Sequence, residues 1–270
     1  MTLAFDAAGP SSAGAAGSSA APSWTHVVTG TSNLLLAAIA CDNDSATVTS
    51  ITYGGAAMTP LFSGSANYKH SNGMTAGWIA VFKLAGAAAG SASVTAALSA
   101  SSAWEAGSLS FSGADTATGI GTPQFATGAG TPATMSFTPD TSGNLIAAFL
   151  VNGLFINSAT SPLTSRFINN TGGSNAGGNI AGATAPATGS AVTTAWTVNA
   201  DWYAIVTAEV LPFGAIGTGP AVLASGTGAA QAATTSPYSL TSGTLHAAAA
   251  ADLGGGYGSW ATPQYAEGGP

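Results

Sequence analysis

Leu145-Ile146-Ala147-Ala148-Phe149-Leu150 is an unbroken apolar run, and Leu34-Leu35-Leu36 is a shorter run of the same kind. Successive side chains of a β-strand point to opposite faces of the sheet, so a strand made of either run is apolar on both faces. A strand of that composition needs cover on both sides. The two runs therefore predict central strands, each buried between two layers.

Trp202–Leu211 shows a second pattern that indicates strands, a strict alternation between two faces. One face would hold Trp202, Ala204, Val206 and Ala208, and the other Tyr203, Ile205, Thr207 and Glu209. Similar short segments recur between clusters of Gly, Ser, Asn and Pro, which is typical of an all-β sandwich. We expect an all-β fold, an antiparallel jelly-roll-like β-sandwich. The predicted strands are Trp24–Thr29, Asn33–Ala40, Val48–Tyr53, Met58–Phe62, Gly77–Leu84, Ser93–Leu98, Gly107–Phe111, Thr134–Thr138, Asn144–Val151, Thr164–Ile168, Val192–Val198 and Trp202–Leu211.

The strand pattern fades after Phe213, which divides the chain into two predicted parts. Residues 1–213 would form the sandwich, with a Gly/Ala/Ser-rich N-terminal loop region at Gly9–Pro22 and a similar linker-like stretch at Gly113–Pro132. Residues 214–270 would form an extended, mostly irregular C-terminal arm. Its one helical segment, Leu245–Leu253, follows a plausible N-cap at Thr244.

Large aromatic residues stand among small ones in the arm, and such residues can anchor it on a neighbouring subunit. The candidate partner contacts are Tyr238, Tyr257, Trp260 and Tyr265. An arm that folds back on its own sandwich would use the same residues, and the sequence leaves both arrangements open.

Two pairs of segments resemble each other in the same order along the chain. Residues 32–39 resemble residues 143–149, and Gly77–Phe82 resembles Asp201–Val206. The pairs indicate either an internal duplication or the common appearance of central strands in an Ala-rich sandwich.

The charge is too low for several classes of partner. Lys and Arg number 3, Asp and Glu number 10, and the net charge is −7, so neither nucleic acid nor an anionic membrane surface is expected as a partner. Only 5% of the residues are charged, against about 25% in an ordinary soluble domain. We expect copies of the chain, or other subunits, to cover part of this surface.

The sequence predicts no membrane span and no secretory signal peptide, since it has no sufficiently long apolar run and no basic residue at the N-terminus. Synthesis in the cytoplasm is expected. The single cysteine, Cys41, follows an apolar run and is expected to be buried.

No catalytic motif is present, so we predict a protein that is not an enzyme and uses no cofactor. His26, His70 and His246 have no metal-site spacing, and no spacing singles out a carboxylate pair for glycoside hydrolysis. Asp42 and Asp44 are the candidate ligands for a calcium ion in a loop. A turn held by side-chain hydrogen bonds is the commoner use of such residues.

Residues 48–59, which contain Tyr53-Gly54-Gly55 and Met58-Thr59, resemble a β-sandwich module of tailed-phage virion proteins. In that module a strand runs into TYGG, turns, and resumes at AMT. The similarity is good over about Asn33–Asp115 and looser over Asn144–Leu211. Physically, Gly54-Gly55 supplies a hairpin turn that needs positive φ.

The resemblance implies a non-enzymatic structural protein of a bacteriophage virion. It would decorate the capsid or form part of a fibre or minor tail protein, as a homo-oligomer in contact with other virion proteins. The alternative is a carbohydrate-binding module or adhesin for host attachment. That alternative would place Trp104, Trp196 or Trp260 against the sugars of a host-surface glycan.

Overall fold

A computed structural model describes residues 2–41, 46–62, 67–71, 76–171 and 178–214. All regular structure in these ranges is β, and none of them contains a helix able to cross a membrane. The first eleven strands are β1 (Ala4–Gly9), β2 (Ala15–Ser19), β3 (Ser23–Val28), β4 (Leu34–Cys41), β5 (Val48–Tyr53), β6 (Ala56–Ala57), β7 (Thr59–Pro60), β8 (Asn67–Ser71), β9 (Ala76–Ala85), β10 (Gly90–Leu98) and β11 (Ser102–Ser112). Eight more follow: β12 (Gln124–Gly130), β13 (Ala133–Phe137), β14 (Ser142–Asn152), β15 (Ile156–Ala159), β16 (Thr164–Asn169), β17 (Asn179–Thr188), β18 (Val192–Val198) and β19 (Asp201–Val210).

The strands form four antiparallel sheets, two from each half of the described chain. Inner sheet 1 has the order β1-β11-β4-β9-β7, with β2 also paired to β11 and β8 to β9, and outer sheet 1 has the order β3-β10-β5-β6. Inner sheet 2 has the order β12-β19-β14-β17-β16, and outer sheet 2 has the order β13-β18-β15. The predicted all-β, jelly-roll-like sandwich is confirmed.

Both halves have the connectivity of a jelly roll. If β1, β3, β4, β5, β8, β9, β10 and β11 are numbered one to eight, the inner sheet reads 1-8-3-6 and the outer sheet 2-7-4. Strands β12 to β19, numbered in the same way, give the same two orders. In each half the fifth strand pairs with the sixth on the inner sheet. Residues 1–213 thus hold two jelly rolls, where the sequence had predicted one.

The repeated topology tests the two similar segment pairs. Asn33-Leu34 and Asn144-Leu145 lie at equivalent places, at the start of β4 and near the start of β14. The second pair is not equivalent, because Gly77–Phe82 lies in β9 whereas Asp201–Val206 lies in β19. The counterpart of β9 is β17, and β19 corresponds to β11. The similarity of the second pair reflects the shared composition of buried strands.

The two inner sheets pack face to face, so the fold has four layers and three apolar cores. The central core joins the halves, and each outer core fills one jelly roll. All eight residues of β4 are buried, because Leu34 and Leu36 enter the central core and Leu35 enters the core of the first jelly roll. The predicted central strands, covered on both sides, are confirmed.

Phe167 of β16 packs tightly between the two inner sheets. Its ring lies over Gly182 of the neighbouring strand β17 and against Gly107 of inner sheet 1, where a Cβ atom on either glycine would overlap it. Beside it, the guanidinium carbon of Arg166 lies 3.9 Å from the centre of the Phe5 ring, and Arg166 Nε donates a hydrogen bond of 2.8 Å to Thr184 Oγ1. These contacts tie β16 to β1 and β11.

Two stretches predicted to be loops contain strands. Gly9–Pro22 includes β2, and Gly113–Pro132 includes β12. Both are edge strands rich in Gly and Ala, and backbone hydrogen bonds hold them to β11 and β19. In β2 a glycine is required, because a Cβ atom on Gly17 would lie 2.9 Å from Cζ2 of Trp104. Composition hid these strands because their pairing needs no large side chains.

The predicted C-terminal arm beyond Gly214, including the segment Leu245–Leu253, lies outside the described residues. The described residues, which end at Gly214, belong to one compact unit.

Candidate functional site

The site residues predicted from the sequence lie outside the described residues. These candidates are Asp42, Asp44, Tyr238, Tyr257, Trp260 and Tyr265. Within the described ranges, no group of three or more His, Cys, Asp or Glu side chains is placed to hold a metal ion. The site analysis therefore starts from the polar groups that the fold brings together.

The tryptophans proposed for sugar stacking are core residues where they are described. Trp104 is 6% exposed and Trp196 is fully buried, so neither indole face is open to a sugar ring. Trp104 donates from Nε1 to Ser19 Oγ and packs beside Trp24 at a ring distance of 6.4 Å. Cys41 is buried as predicted. Trp260 lies outside the described residues.

Ser108 is the centre of a buried polar network in the first jelly roll. Its Oγ donates to the carbonyl of Gly9 at 3.3 Å and accepts from Trp24 Nε1 at 3.1 Å. His26 Nδ1 lies 2.8 Å from the same oxygen. The tautomer of the imidazole ring decides which of these two atoms donates. The other ring nitrogen, Nε2, has no hydrogen-bond partner among the described residues.

Asp6 joins the same region but does not bond to His26. Its Oδ2 accepts from the backbone N of Thr29 at 3.0 Å and from Ser110 Oγ at 2.7 Å, and its Oδ1 accepts from Thr29 Oγ1. Burial alone would raise the pKa of Asp6, but the hydrogen bonds from Thr29 and Ser110 hold it below its ordinary 3.8. Asp6 thus fastens β1 to the end of β3 and to β11.

Ser108, His26 and Asp6 have the residue types of a catalytic triad without its arrangement. A triad needs a carboxylate bonded to one ring nitrogen and a nucleophile bonded to the other, whereas Asp6 bonds to Thr29 and Ser110. Ser108 is fully buried and His26 is 1% exposed, so no substrate reaches the hydroxyl. Burial lowers the pKa of His26 to about 4, although the Asp6 charge opposes this shift. The network braces the two sheets of the first jelly roll.

Glu209 has a comparable bracing role in the second jelly roll. This carboxylate is 1% exposed and accepts from the backbone N of Asp140 at 2.8 Å, the backbone N of Thr141 at 3.2 Å and Asn144 Nδ2 at 2.7 Å. All three donors lie where β13 leads into β14, so Glu209 holds that loop. The alternation of Trp202–Leu211 placed Glu209 on the face that holds Tyr203, Ile205 and Thr207, but no spacing signal pointed to its loop.

The TYGG segment forms the predicted hairpin turn. Gly54 and Gly55 have φ values of 55° and 85°, while Tyr53 and Met58 are both buried in the core of the first jelly roll. The Tyr53 hydroxyl donates to the carbonyl of Gly90 at 2.9 Å. A shallow groove of small, uncharged residues runs beside this turn. The motif therefore forms a turn of the first jelly roll and contributes two buried side chains to its core.

An exposed aromatic ring stands among asparagines at one end of the second jelly roll. Phe155, in the loop between β14 and β15, is 39% exposed, and its carbonyl accepts from the backbone N of Asn199 at 2.8 Å. Asn157 and Asn199 are also exposed, and Asn157 Nδ2 donates to Asn199 Oδ1 at 3.4 Å. We call Phe155, Asn157 and Asn199 the asparagine end.

Buried Asn152 and half-buried Asn170 hold the backbone of the asparagine end. Asn152 Nδ2 donates to the carbonyls of Leu154 and Asn199, and Asn170 both accepts from the N and donates to the O of Ile156. Seven of the chain's 12 asparagines lie between residues 152 and 199. That concentration was a sequence signal for this loop cluster, and the sequence-based prediction did not include it.

Comparison of the chain with family models, curated proteins and solved structures gave no match.

Proposed function

We propose that the chain is a non-enzymatic structural protein of a tailed-phage virion. It decorates the capsid or forms part of a fibre or minor tail protein, through contacts with other virion proteins and with copies of itself. The supporting sequence feature is the TYGG and AMT segment, an exposed hairpin turn whose flanking Tyr53 and Met58 enter the core of the first jelly roll.

The observation that carries the proposal is the pair of jelly rolls, in which polar side chains form hydrogen bonds within the protein itself. Ser108, His26, Asp6 and Glu209 are engaged in hydrogen bonds that brace strands and loops. The outer sheets present short neutral side chains, such as Thr25 and Thr95 on one and Thr193 and Thr197 on the other. Jelly rolls serve in capsid and lectin domains, which is support by fold analogy alone.

The proposal is tested by mass spectrometry of particles purified from the phage that encodes the chain. We expect its peptides to band with the particles through a density gradient and to remain after a high-salt wash. An accumulation of the protein only in the unassembled fraction contradicts the proposal.

The assembly role of residues 214–270 stays part of this proposal. A chain ending at Gly217 keeps the compact unit Met1–Gly217, so its circular dichroism spectrum should retain the strand signal. We expect its incorporation into particles to fall relative to the full chain, because Tyr238, Tyr257, Trp260 and Tyr265 are lost. Normal incorporation of the shortened chain contradicts an assembly role for this segment.

A second candidate function, binding of a neutral host-surface glycan, is favoured by the asparagine end. An aromatic ring can stack on the apolar face of a sugar, and neighbouring amides can bond its hydroxyl groups. The full chain on a glycan array should show binding that Phe155→Ala abolishes. Phe213→Ala, which removes another ring that is 49% exposed, should leave it unchanged. Absence of any bound glycan, or equal loss in both variants, contradicts this candidate.

A further inference from the structure

Most sheet edges in the described residues carry a feature that prevents pairing with another strand. On inner sheet 1, β1 carries Asp6 at a register shift, and β7 contains Pro60. On inner sheet 2, β16 carries Arg166 at a register shift. Charges, proline and bulges at an edge are the usual barriers to edge-to-edge association.

The outer sheets are protected mainly by the shortness of their edge strands. Strand β6 has 2 residues, β15 has 4, β13 has 5 and β3 has 6. Asp6 also binds Thr29 directly after β3.

Strand β12 has none of these barriers and, with 7 residues, is the longest edge strand in the described part of the chain. Its sequence, Gln-Phe-Ala-Thr-Gly-Ala-Gly, has no charge and no proline, and its register with β19 is unbroken from Gln124 to Gly130. Among the described residues β12 pairs with β19 alone. An uninterrupted neutral edge of this length is a template for another strand.

We propose that β12 pairs with β12 of a second copy, in antiparallel register, to join two inner sheets 2 into one continuous sheet. A two-fold axis perpendicular to the sheet keeps each side chain on the same face of the joined sheet. One residue of β12 must then lie directly opposite its own copy, with the axis between them. Only the register that places Thr127 opposite its own copy pairs all seven residues. Phe125 then lies opposite Ala129, Ala126 opposite Gly128, and Gln124 opposite Gly130.

This register is self-complementary in size and charge. The one large ring, that of Phe125, faces a methyl group, and each remaining pair includes a glycine or is Thr127 with itself. No like charges meet across the axis. The inference concerns self-association and holds whether or not the particle is a virion.

Disulfide trapping of the full chain tests the register. Opposed residues in an antiparallel pair have Cβ atoms about 4.5–5.5 Å apart, so Thr127→Cys should cross-link to its own copy under mild oxidation. Ala129→Cys is the matched control, since its opposite residue is Phe125, and it should cross-link far more slowly. The native Cys41 is buried, so the unsubstituted chain should give no cross-linked dimer.

Charge variants of the full chain, measured by sedimentation equilibrium, test the energetics. Thr127→Lys should raise the dissociation constant of the dimer by about fivefold or more, because two like charges meet on the axis. Thr197→Lys, on the outer face of the doubly paired strand β18, should leave it unchanged. An equal mixture of Thr127→Lys and Thr127→Glu chains should restore the dimer.

Several results overturn the inference. These are a monomeric full chain, a dimer that Thr127→Lys leaves unaffected, and cross-linking at residue 129 as fast as at residue 127. Circular dichroism of each variant confirms that an altered dissociation constant does not arise from unfolding.

Discussion

The protein should lose stability between pH 6.5 and pH 4 because His26 is buried as a neutral ring. Its pKa is about 4 in the fold, against an ordinary value of 6.5. Between these values the unfolded chain binds a proton at His26 that the folded chain excludes, so the free energy of unfolding falls as pH falls. Since one pKa unit corresponds to about 1.4 kcal/mol, the complete loss is about 3 kcal/mol.

The structure gives the physical cause of this loss. The protonated ring carries a hydrogen on both nitrogens, and its Nε2 has no partner among the described residues. The ring is enclosed by Ser108, Tyr53 and the backbone near Gly9. The charged group that faces the ring is the Asp6 carboxylate, whose attraction opposes the shift. The Tyr53 hydroxyl also lies beside the ring, but burial raises its pKa, so it stays neutral in this pH window. Asp6 has a lowered pKa, so its own contribution is lost only below about pH 3.8.

Urea unfolding monitored by tryptophan fluorescence at half-unit steps of pH measures the effect. His26→Gln should flatten the profile between pH 4 and pH 6.5, whatever its stability at pH 7. The variant with both His70→Gln and His246→Gln is the control and should keep the wild-type slope. A wild-type free energy of unfolding that is constant over this window, or an equal slope in His26→Gln, refutes the reasoning.

Three further predictions concern packing. Gly107→Ala should lower the free energy of unfolding by about 1–3 kcal/mol, the usual range for overpacking, because its methyl group would overlap the Phe167 ring. Gly121→Ala is the control, since its Cβ would lie 3.4 Å from the nearest atom. It should change the free energy of unfolding little in the same urea assay. Arg166→Met should lower the free energy of unfolding by about 1–2 kcal/mol, because the Phe5 ring contact and the Thr184 hydrogen bond are lost. A double-mutant cycle with Phe5→Leu should show coupling between the two residues. Additive effects of the two substitutions would contradict the contact. Cys41 should react with a thiol reagent only as fast as the protein opens, so its labelling rate should rise with urea, and rapid stoichiometric labelling of native protein would show that the thiol is accessible.

The sequence contained evidence for the four-layer arrangement that the prediction of a single sandwich did not use. Leu34-Leu35-Leu36 and Leu145–Leu150 required cover on both faces, whereas a single two-layer sandwich covers each strand on one face only. The runs therefore already implied more layers than one jelly roll provides. What the runs do not state is that the additional layer is a second copy of the same topology.

The edge strands were the elements that the sequence predicted least well. Strands β2 and β12 are short Gly/Ala-rich segments without an apolar alternation, and their backbone hydrogen bonds to β11 and β19 define them. Such pairing is non-local, so neither propensity nor periodicity detects it. The close approaches that demand glycine, as at Gly17 beneath Trp104, become visible only when the distant partner is placed.

The polar network was also beyond the reach of spacing arguments. His26 lies in the predicted strand Trp24–Thr29, but Ser108 and Asp6 are 82 and 20 residues away from it in sequence. The jelly-roll connectivity brings them together, because β1 pairs with β11 and β3 lies on the facing sheet.

An electron cryomicroscopy reconstruction of the purified particle tests the proposed structural role most directly. We expect repeated four-layer densities, each built from two stacked jelly rolls, at fixed positions on the capsid or tail. A well-resolved particle in which every density is accounted for by other chains would contradict the structural role of this protein.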